Sequence, residues 1–272
     1  MTELPVTQGS TLYYATLTLP ESIRLQVLLT HALHDEINRV PVTCSDPGVA
    51  RIKLEWWREE LLRYKNDQAR HPLTRQLQSL PATGEISPER LLRLVDATED
   101  QLLPEPLGTH NDWCEFIDAG PAQPWIITAA LCGFSDKNTE DVLRDLIRYS
   151  VWVDLLQDVY PLAQRGRCYI PLDKLREYGI NPSGITEDIH KENFRTLLRE
   201  EYINSETMLA SAYRDLPQGE RRKLLPLLIL CQLNRALCRE VLESSLPDPA
   251  LRTALTPLRR AWITWTTRLT NR

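Results

Sequence analysis

Two aspartates followed by a short basic segment are the part of this sequence best suited to chemistry. Asp154 and Asp158 stand four residues apart, so on a helix their carboxylates lie on one face. Arg165, Arg167 and Tyr169 follow shortly afterwards. Carboxylates that hold magnesium, beside arginines that hold phosphate oxygens, would suit a diphosphate substrate. The same residues also fit a helix that forms ion pairs with its own exit segment, and the spacing alone leaves both interpretations open.

The elements that would position these residues are helices. Apolar residues recur at helical spacing over most of the chain, and strand alternation is hard to find. The pattern predicts a helix over residues 20–40 that Pro41 ends, a central helix over 141–160, and a buried core helix over 223–246. We find no linker or repeat, so we expect a single all-α domain over residues 1–272.

Composition narrows the class of protein. Of the 272 residues, 42% are apolar and 25% are charged, which is typical of a globular domain. The net charge of −5 argues against a nucleic-acid partner. No apolar run approaches the roughly 20 residues of a membrane span, and the first residues do not form a signal peptide. Six cysteines without CxxC spacing favour reduced thiols, so we expect a cytoplasmic protein.

Three stretches resemble the squalene/phytoene synthase family, in the same order and at similar separations. AQRGRCYIP at residues 163–171 is similar to the exit from the family's second aspartate helix. YYA at 13–15 resembles the opening helix, and WWREEL at 56–61 resembles a third landmark. The resemblance implies an isoprenoid-synthase fold, a helical bundle around a central cavity. It also places the helix of Asp154 and Asp158 opposite the helix of His34 and Asn38.

Working synthases of this family carry two DxxxD helices whose carboxylates bind magnesium, which in turn holds a prenyl diphosphate. This sequence departs from that pattern. Counted from the opening helix, the first pair of aspartates falls on Asn38 and Val42, and an upstream basic residue falls on Asp35. In the second motif Asp158 matches the first aspartate, while Leu162 replaces the other. The resemblance therefore implies the fold more strongly than the activity.

We interpret five residues as remnants of a diphosphate site: Asp158, Arg165, Arg167, Tyr169 and Asn38. The favoured hypothesis is a non-catalytic relative without a cofactor or a dedicated metal site. Such a relative would bind an isoprenoid or lipid in the central cavity, or would act with a protein partner in assembling a membrane (respiratory) complex. The family's complex I assembly factors, at the inner membrane, are the analogy for a peripheral location.

Two alternatives remain. One is a magnesium-dependent, head-to-head prenyl diphosphate transferase in which Asp154 and Asp158 bind the metal and Asp35 or Glu36 replaces the first motif. The other is an unrelated helical interaction protein. In the non-catalytic case we expect Asp158 to pair with Arg165 or Arg167, because opposite charges would otherwise remain within reach.

Other residue patterns have simpler explanations. His31, His34 and Asp35 have metal-ligand spacing, but no further His or Cys lies convincingly nearby, so we favour histidines that are half-buried or lie on the helix surface. Trp56 and Trp57 are interpreted as core residues. The charged run at residues 53–63 is interpreted as a solvated helix face, and Cys231 and Cys238 as buried small hydrophobic residues.

Overall fold

The computed structural model describes residues 7–80, 86–103, 105–182, 185–188, 191–243 and 252–271. Within these ranges every regular element is helical, which confirms the all-α prediction. The helices are α1 (Thr11–Thr16), α2 (Glu21–Asn38), α3 (Val40–Thr43), α4 (Pro47–Lys65), α5 (Pro72–Ser79), α6 (Pro88–Asp100), α7 (His110–Ala119), α8 (Gln123–Leu131), α9 (Glu140–Gln157), α10 (Val159–Ala163), α11 (Leu172–Glu177), α12 (Ile185–Asp188), α13 (Glu192–Asp215), α14 (Gln218–Arg221), α15 (Leu225–Glu243) and α16 (Pro257–Thr270), with a 3₁₀ turn at Lys137–Thr139.

Several helix starts follow from local capping chemistry. The side chains of Asp46 and Ser87 accept hydrogen bonds from the first turns of α4 and α6, and a proline follows each of them. Thr109 caps α7 and forms a capping box with Asp112. Each cap satisfies N–H groups that have no partner inside the helix.

The predicted end of the first long helix needs a correction. α2 ends at Asn38, but Pro41 does not stop helical structure, because it lies in the first turn of α3. A proline in that position lacks an N–H that would have no partner in any case. Residues 244–251, which include the end of the predicted core helix 223–246, lie outside the described residues.

The buried side chains form two clusters. The larger is built around α9, α13 and α15, with Tyr149, Phe194 and Leu228 among its fully buried members. The smaller is built from α2, α4 and α6. Helix α8 contributes Ile126 to the first and Ile127 to the second, so adjacent residues of one helix join the clusters. This sharing supports the single domain over residues 1–272, which stays a prediction.

No helix in the described ranges is both long enough and apolar enough to cross a membrane. The apolar helix α15 is instead buried by α1, α9 and α16. Cys231 and Cys238 on this helix are fully buried, as predicted. The prediction for the two tryptophans is half right, because Trp57 is buried whereas Trp56 is exposed.

Candidate functional site

The two aspartates lie where the central helix breaks. α9 ends at Gln157, and Asp158 has φ −101° and ψ 10°, outside the helical region. Pro161 explains the break, because it has no N–H to donate to the Gln157 carbonyl and its ring would crowd that oxygen. Hydrogen bonds with helical spacing continue on both sides of the break, from Asp158 N to Asp154 O (3.1 Å) and from Leu162 N to Asp158 O (3.0 Å). They connect the end of α9 to α10.

The partner of Asp158 is Arg252, not an arginine of the exit segment. Arg252 Nη1 lies 3.0 Å from Asp158 Oδ1, and both side chains keep contact with solvent. The predicted pairing with Arg165 or Arg167 is therefore wrong, since neither forms an ion pair with Asp158 in the structure. Burial raises the pKa of Asp158, while the charges of Arg252 and Arg165 lower it.

Gln157 explains how a residue so distant in sequence reaches Asp158. Its side-chain oxygen accepts a hydrogen bond from Thr253 N at 3.0 Å, and its side-chain nitrogen donates to Tyr202 Oη at 2.8 Å. The bond from Thr253 attaches the segment before α16 to the end of α9, directly beside Asp158, and the bond to Tyr202 attaches α13 to the same side chain. The sequence pattern gave no indication of this contact.

Asp154 has a different environment from Asp158. Its side chain is exposed and has no hydrogen-bond partner among the described residues. The protein atoms around it raise its pKa to about 7, with Arg252 opposing this shift and Asp158 adding to it. A raised pKa favours the protonated form, which weakens the carboxyl group as a metal ligand.

Asn38, at the end of α2, occupies the position of the first aspartate in the family's first motif. Its uncharged side chain lies between two hydrogen-bond partners. Asn38 Nδ2 lies 2.7 Å from His34 Nε2, and Thr98 Oγ1 donates to Asn38 Oδ1 at 2.7 Å. Because the amide nitrogen donates, His34 Nε2 must accept. Asp35 is exposed beside His34, and Glu36 pairs with Arg39 on the surface.

The exit segment, residues 163–171, forms hydrogen bonds with the C-terminal end of α6. Arg167 donates to Tyr169 Oη at 3.3 Å and to the Gln101 carbonyl at 3.5 Å, and Tyr169 Oη donates to Gln101 Oε1 at 3.4 Å. The ring of Tyr169 stacks on Phe116 at 4.9 Å between centroids. Gln101 follows Thr98 by one helical turn, so the C-terminal end of α6 links the exit segment to the Asn38 cluster.

A recess of about 790 Å³ opens beside this link, lined by the end of α6, by α7 and by the exit segment. Arg167 and Tyr169 line it, whereas Asp154, Asp158 and Asn38 do not. The candidate residues therefore do not share this one cavity. The acids outnumber the single arginine at the recess, and apolar groups form much of its wall. These lining residues are Asp100, Glu105, Asp112, Glu115, Leu107, Phe116, Ile170 and Leu172.

The histidines of α2 have separate partners. His31 is buried, with Nε2 3.3 Å from Thr128 Oγ1 and its ring edge-on to Trp125 at 4.6 Å. Burial lowers the pKa of His31 to about 3, so the ring is neutral. His34 contacts Asn38 instead. Across the described residues, no group of three or more His, Cys, Asp or Glu side chains is placed to hold a metal.

Glu60 corrects the prediction that residues 53–63 form a solvated face. Its side chain is fully buried, and one oxygen accepts hydrogen bonds from Arg70 N (2.7 Å), His71 N (2.8 Å) and Thr74 Oγ1. Its other oxygen pairs with Arg63 Nε at 3.0 Å. Burial alone would raise the pKa of Glu60, but these bonds lower it to about 2. The backbone N–H groups of Arg70 and His71, directly before α5, therefore hold this carboxylate in its ionised form.

Comparison with known proteins decides the family. The sequence model of squalene/phytoene synthases matches residues 6–259. The chain belongs to the squalene/phytoene synthase family. Two solved members of the fold are similar in structure, and both share little sequence with this protein. A search of curated proteins by sequence finds no significant match.

The first structure is a dehydrosqualene synthase in complex with ligand, with a TM-score of 0.75 and 13% identity over 96% of this family member and 91% of that chain. The second is the squalene synthase HpnC from Alicyclobacillus acidocaldarius, with a TM-score of 0.71 and 17% identity over 84% of this chain and 86% of that one. Both confirm the isoprenoid-synthase fold.

Magnesium is the metal that the family resemblance implies, and the described residues do not fit it well. A magnesium site needs carboxylate oxygens that are ionised and free to bind. Asp158 is paired with Arg252, Asp154 has a pKa of about 7, and Asn38 is held by Thr98. Asp35 and Glu36 do not form a carboxylate cluster with the α9 pair.

Proposed function

We propose that this member of the squalene/phytoene synthase family is non-catalytic and binds an isoprenoid or other lipid, rather than condensing two prenyl diphosphates. The ion pair between Asp158 and Arg252 carries the proposal. Asp158 is the carboxylate that matches a family aspartate, and the guanidinium at 3.0 Å supplies the positive charge that a metal ion would supply.

The opposite motif position supports the same conclusion. Asn38 carries no charge, and both ends of its amide are already engaged by His34 and Thr98. An amide in this state contributes little to neutralising a diphosphate, which is what departure of that leaving group requires.

The recess beside the exit segment supports a neutral, apolar ligand. Its volume of about 790 Å³ lies within the range of small-molecule sites. The acidic residues around it would repel a diphosphate, while Leu107, Phe116 and Ile170 offer apolar contact. The same proposal includes a role in assembling a membrane complex at the inner membrane, in which the recess would bind the lipid.

The decisive experiment gives the purified protein radiolabelled farnesyl or geranylgeranyl diphosphate with magnesium, beside a working dehydrosqualene synthase as positive control. We expect no hydrocarbon product. Formation of dehydrosqualene or phytoene that is abolished by Asp158→Asn, but not by the exposed Asp173→Asn, would overturn the proposal and restore the transferase alternative.

A second experiment tests the ligand by native mass spectrometry with geranylgeraniol and with its diphosphate. We expect the alcohol to bind and the diphosphate to bind more weakly. Ala119→Trp, on the wall of the recess, should reduce binding, whereas Ala210→Trp on the exposed side of α13 should not. Equal binding by both tryptophan variants would place the ligand elsewhere.

A further inference from the structure

The last helix turns its apolar side to solvent. On α16, Leu258, Trp262, Trp265 and Leu269 are 85%, 62%, 53% and 39% exposed. With 3.6 residues per turn, these four side chains fall within an arc of about 60°. They form one continuous stripe along the helix, which we call the tryptophan stripe.

The opposite side of the same helix is polar and buried. Thr264, Thr267 and Asn271 face the protein, and the Thr264 hydroxyl has no hydrogen-bond partner within the described ranges. A helix that served only to cover the core would present the opposite distribution. The orientation of α16 therefore leaves its apolar stripe uncovered by the residues that the structure describes.

Positive charge flanks the tryptophan stripe. α16 carries three arginines and no acidic residue. Arg259 pairs with Glu240 and Arg260 donates to the Gly9 carbonyl, so these two are engaged within the protein. Arg268 has no partner in the part of the chain that the structure describes, and it lies on the edge of the stripe.

A basic pocket of about 640 Å³ adjoins the C-terminal end of the stripe. Arg222, Lys223 and Arg268 line it together with the polar side chains of Thr18 and Asn271. Lys223 is paired with Glu220, whereas Arg222 is exposed. An apolar stripe beside a cationic pocket matches the two layers of a lipid surface, acyl chains below and anionic headgroups above.

We propose that α16 docks the protein onto an anionic membrane, with the tryptophan stripe in the interfacial layer and a lipid headgroup in the pocket of Arg222, Lys223 and Arg268. Tryptophan is favoured at the boundary between headgroups and acyl chains, and arginines add attraction to anionic lipids. Because the protein as a whole carries a net charge of −5, an anionic membrane repels most of it. Binding therefore depends on the basic residues near α16, and added salt weakens it. The inference does not depend on the ligand of the recess.

A second exposed apolar set, on α4, fits a membrane less well. Val49, Ile52 and Trp56 are exposed there, but acids and bases alternate around them, including Glu55 and Glu59. Arg58, Arg63 and Lys65 on this helix are paired with carboxylates, which weakens its attraction to an anionic surface. This helix therefore provides the matched control for α16.

The test is flotation with vesicles of phosphatidylcholine alone and of equal parts phosphatidylcholine and phosphatidylglycerol. We expect the protein to bind the anionic vesicles and to be released by high salt. Trp262→Ser combined with Trp265→Ser should lower the binding constant at least about tenfold. Trp56→Ser should leave it unchanged.

A second set of variants tests the charges. It compares Arg222→Glu combined with Arg268→Glu with a control, Arg214→Glu, on the exposed side of α13. We expect loss of preference for anionic lipid only in the first variant. Equal binding by the Trp56 and Trp262/Trp265 variants would overturn the proposal. So would a concentration-dependent dimer, measured by sedimentation without lipid, that the Trp262/Trp265 change abolishes, because the stripe would then be an interface between copies.

Discussion

Glu60 is fully buried and Asp154 is exposed, and the pKa values of these two carboxyl groups shift in opposite directions. Glu60 receives hydrogen bonds from two backbone N–H groups, a hydroxyl and a guanidinium, and its pKa falls to about 2. Asp154 receives none from the described residues, and its pKa rises to about 7. Neighbouring protein atoms disfavour the charged form of both groups, and the hydrogen-bond donors around Glu60 reverse that effect. The first carboxylate stabilises the fold, whereas the second is a net cost when ionised.

The largest effect should come from removing the charge at Glu60. Glu60→Gln leaves the N–H groups of α5 and the Arg63 guanidinium without a carboxylate, and should cost about 3 kcal/mol of unfolding free energy. Urea unfolding at neutral pH, followed by circular dichroism, measures it. Glu59→Gln, at an exposed neighbour of the same arginine, should cost under about 0.5 kcal/mol. Similar losses of unfolding free energy in Glu60→Gln and Glu59→Gln would contradict the stabilising role of Glu60.

Acid unfolding sharpens the same comparison. Because the folded pKa of Glu60 lies below its ordinary value of 4.5, its contribution is complete above that pH and is lost as pH falls toward 2. The difference between the wild type and Glu60→Gln should therefore shrink across this interval. A difference that stays constant down to pH 2 would show that the carboxylate is not responsible.

Asp154 should show the opposite sign. Its folded pKa of about 7 lies above the ordinary value of 3.8, so stability falls as pH rises between these values. Asp154→Asn should remove that slope and should be the more stable protein at pH 8. Since the side chain keeps contact with solvent, we expect a gain of no more than about 1 kcal/mol. Asp173→Asn is the control, and a loss of stability at pH 8 in the Asp154 variant would contradict the assignment.

The ion pair between Asp158 and Arg252 should contribute less. Both groups are partly exposed, so a double-mutant cycle with Asp158→Asn and Arg252→Gln should give a coupling under about 1 kcal/mol that declines with salt. The same cycle with Arg165→Gln should give a smaller coupling. If Arg165 coupled more strongly than Arg252, the pairing expected from the sequence would be restored.

Magnesium alone should have the smallest effect. In millimolar magnesium without diphosphate we expect no change in melting temperature, for the wild type and for Asp154→Asn alike, because the ion is strongly hydrated and Asp154 is a poor ligand. A stabilisation lost in the Asp154 variant, but kept in Asp173→Asn, would instead support the alternative in which Asp154 and Asp158 bind metal.

The sequence predicted the fold far better than the site. Helical periodicity and caps such as Ser87 depend on neighbours in the chain, so they can be read locally. The partner of Asp158 could not be found this way. Arg252 is distant in sequence and is placed by the bonds of Gln157 to Thr253 and Tyr202.

Glu60 was missed for a related reason. Its sequence context is a charged helix face, and only the arrival of α5 converts one of those positions into a buried carboxylate. The tryptophans of α16 gave no sequence signal either, because spacing shows which residues share a helix face but not whether that face points inwards.

The packing of α1 against α15 and α16 has a consequence for folding kinetics. Arg260 donates a hydrogen bond to the Gly9 carbonyl, so the first and last described helices meet across almost the whole chain. Contacts of such high sequence separation carry a large loop-closure entropy and form late. During synthesis α1 cannot complete its packing until α15 and α16 have both left the ribosome. In the folded protein the amide hydrogens of α1 and α16 should exchange faster than those of α9 and α13. Detachment of α1 and α16 would then be the first step of unfolding.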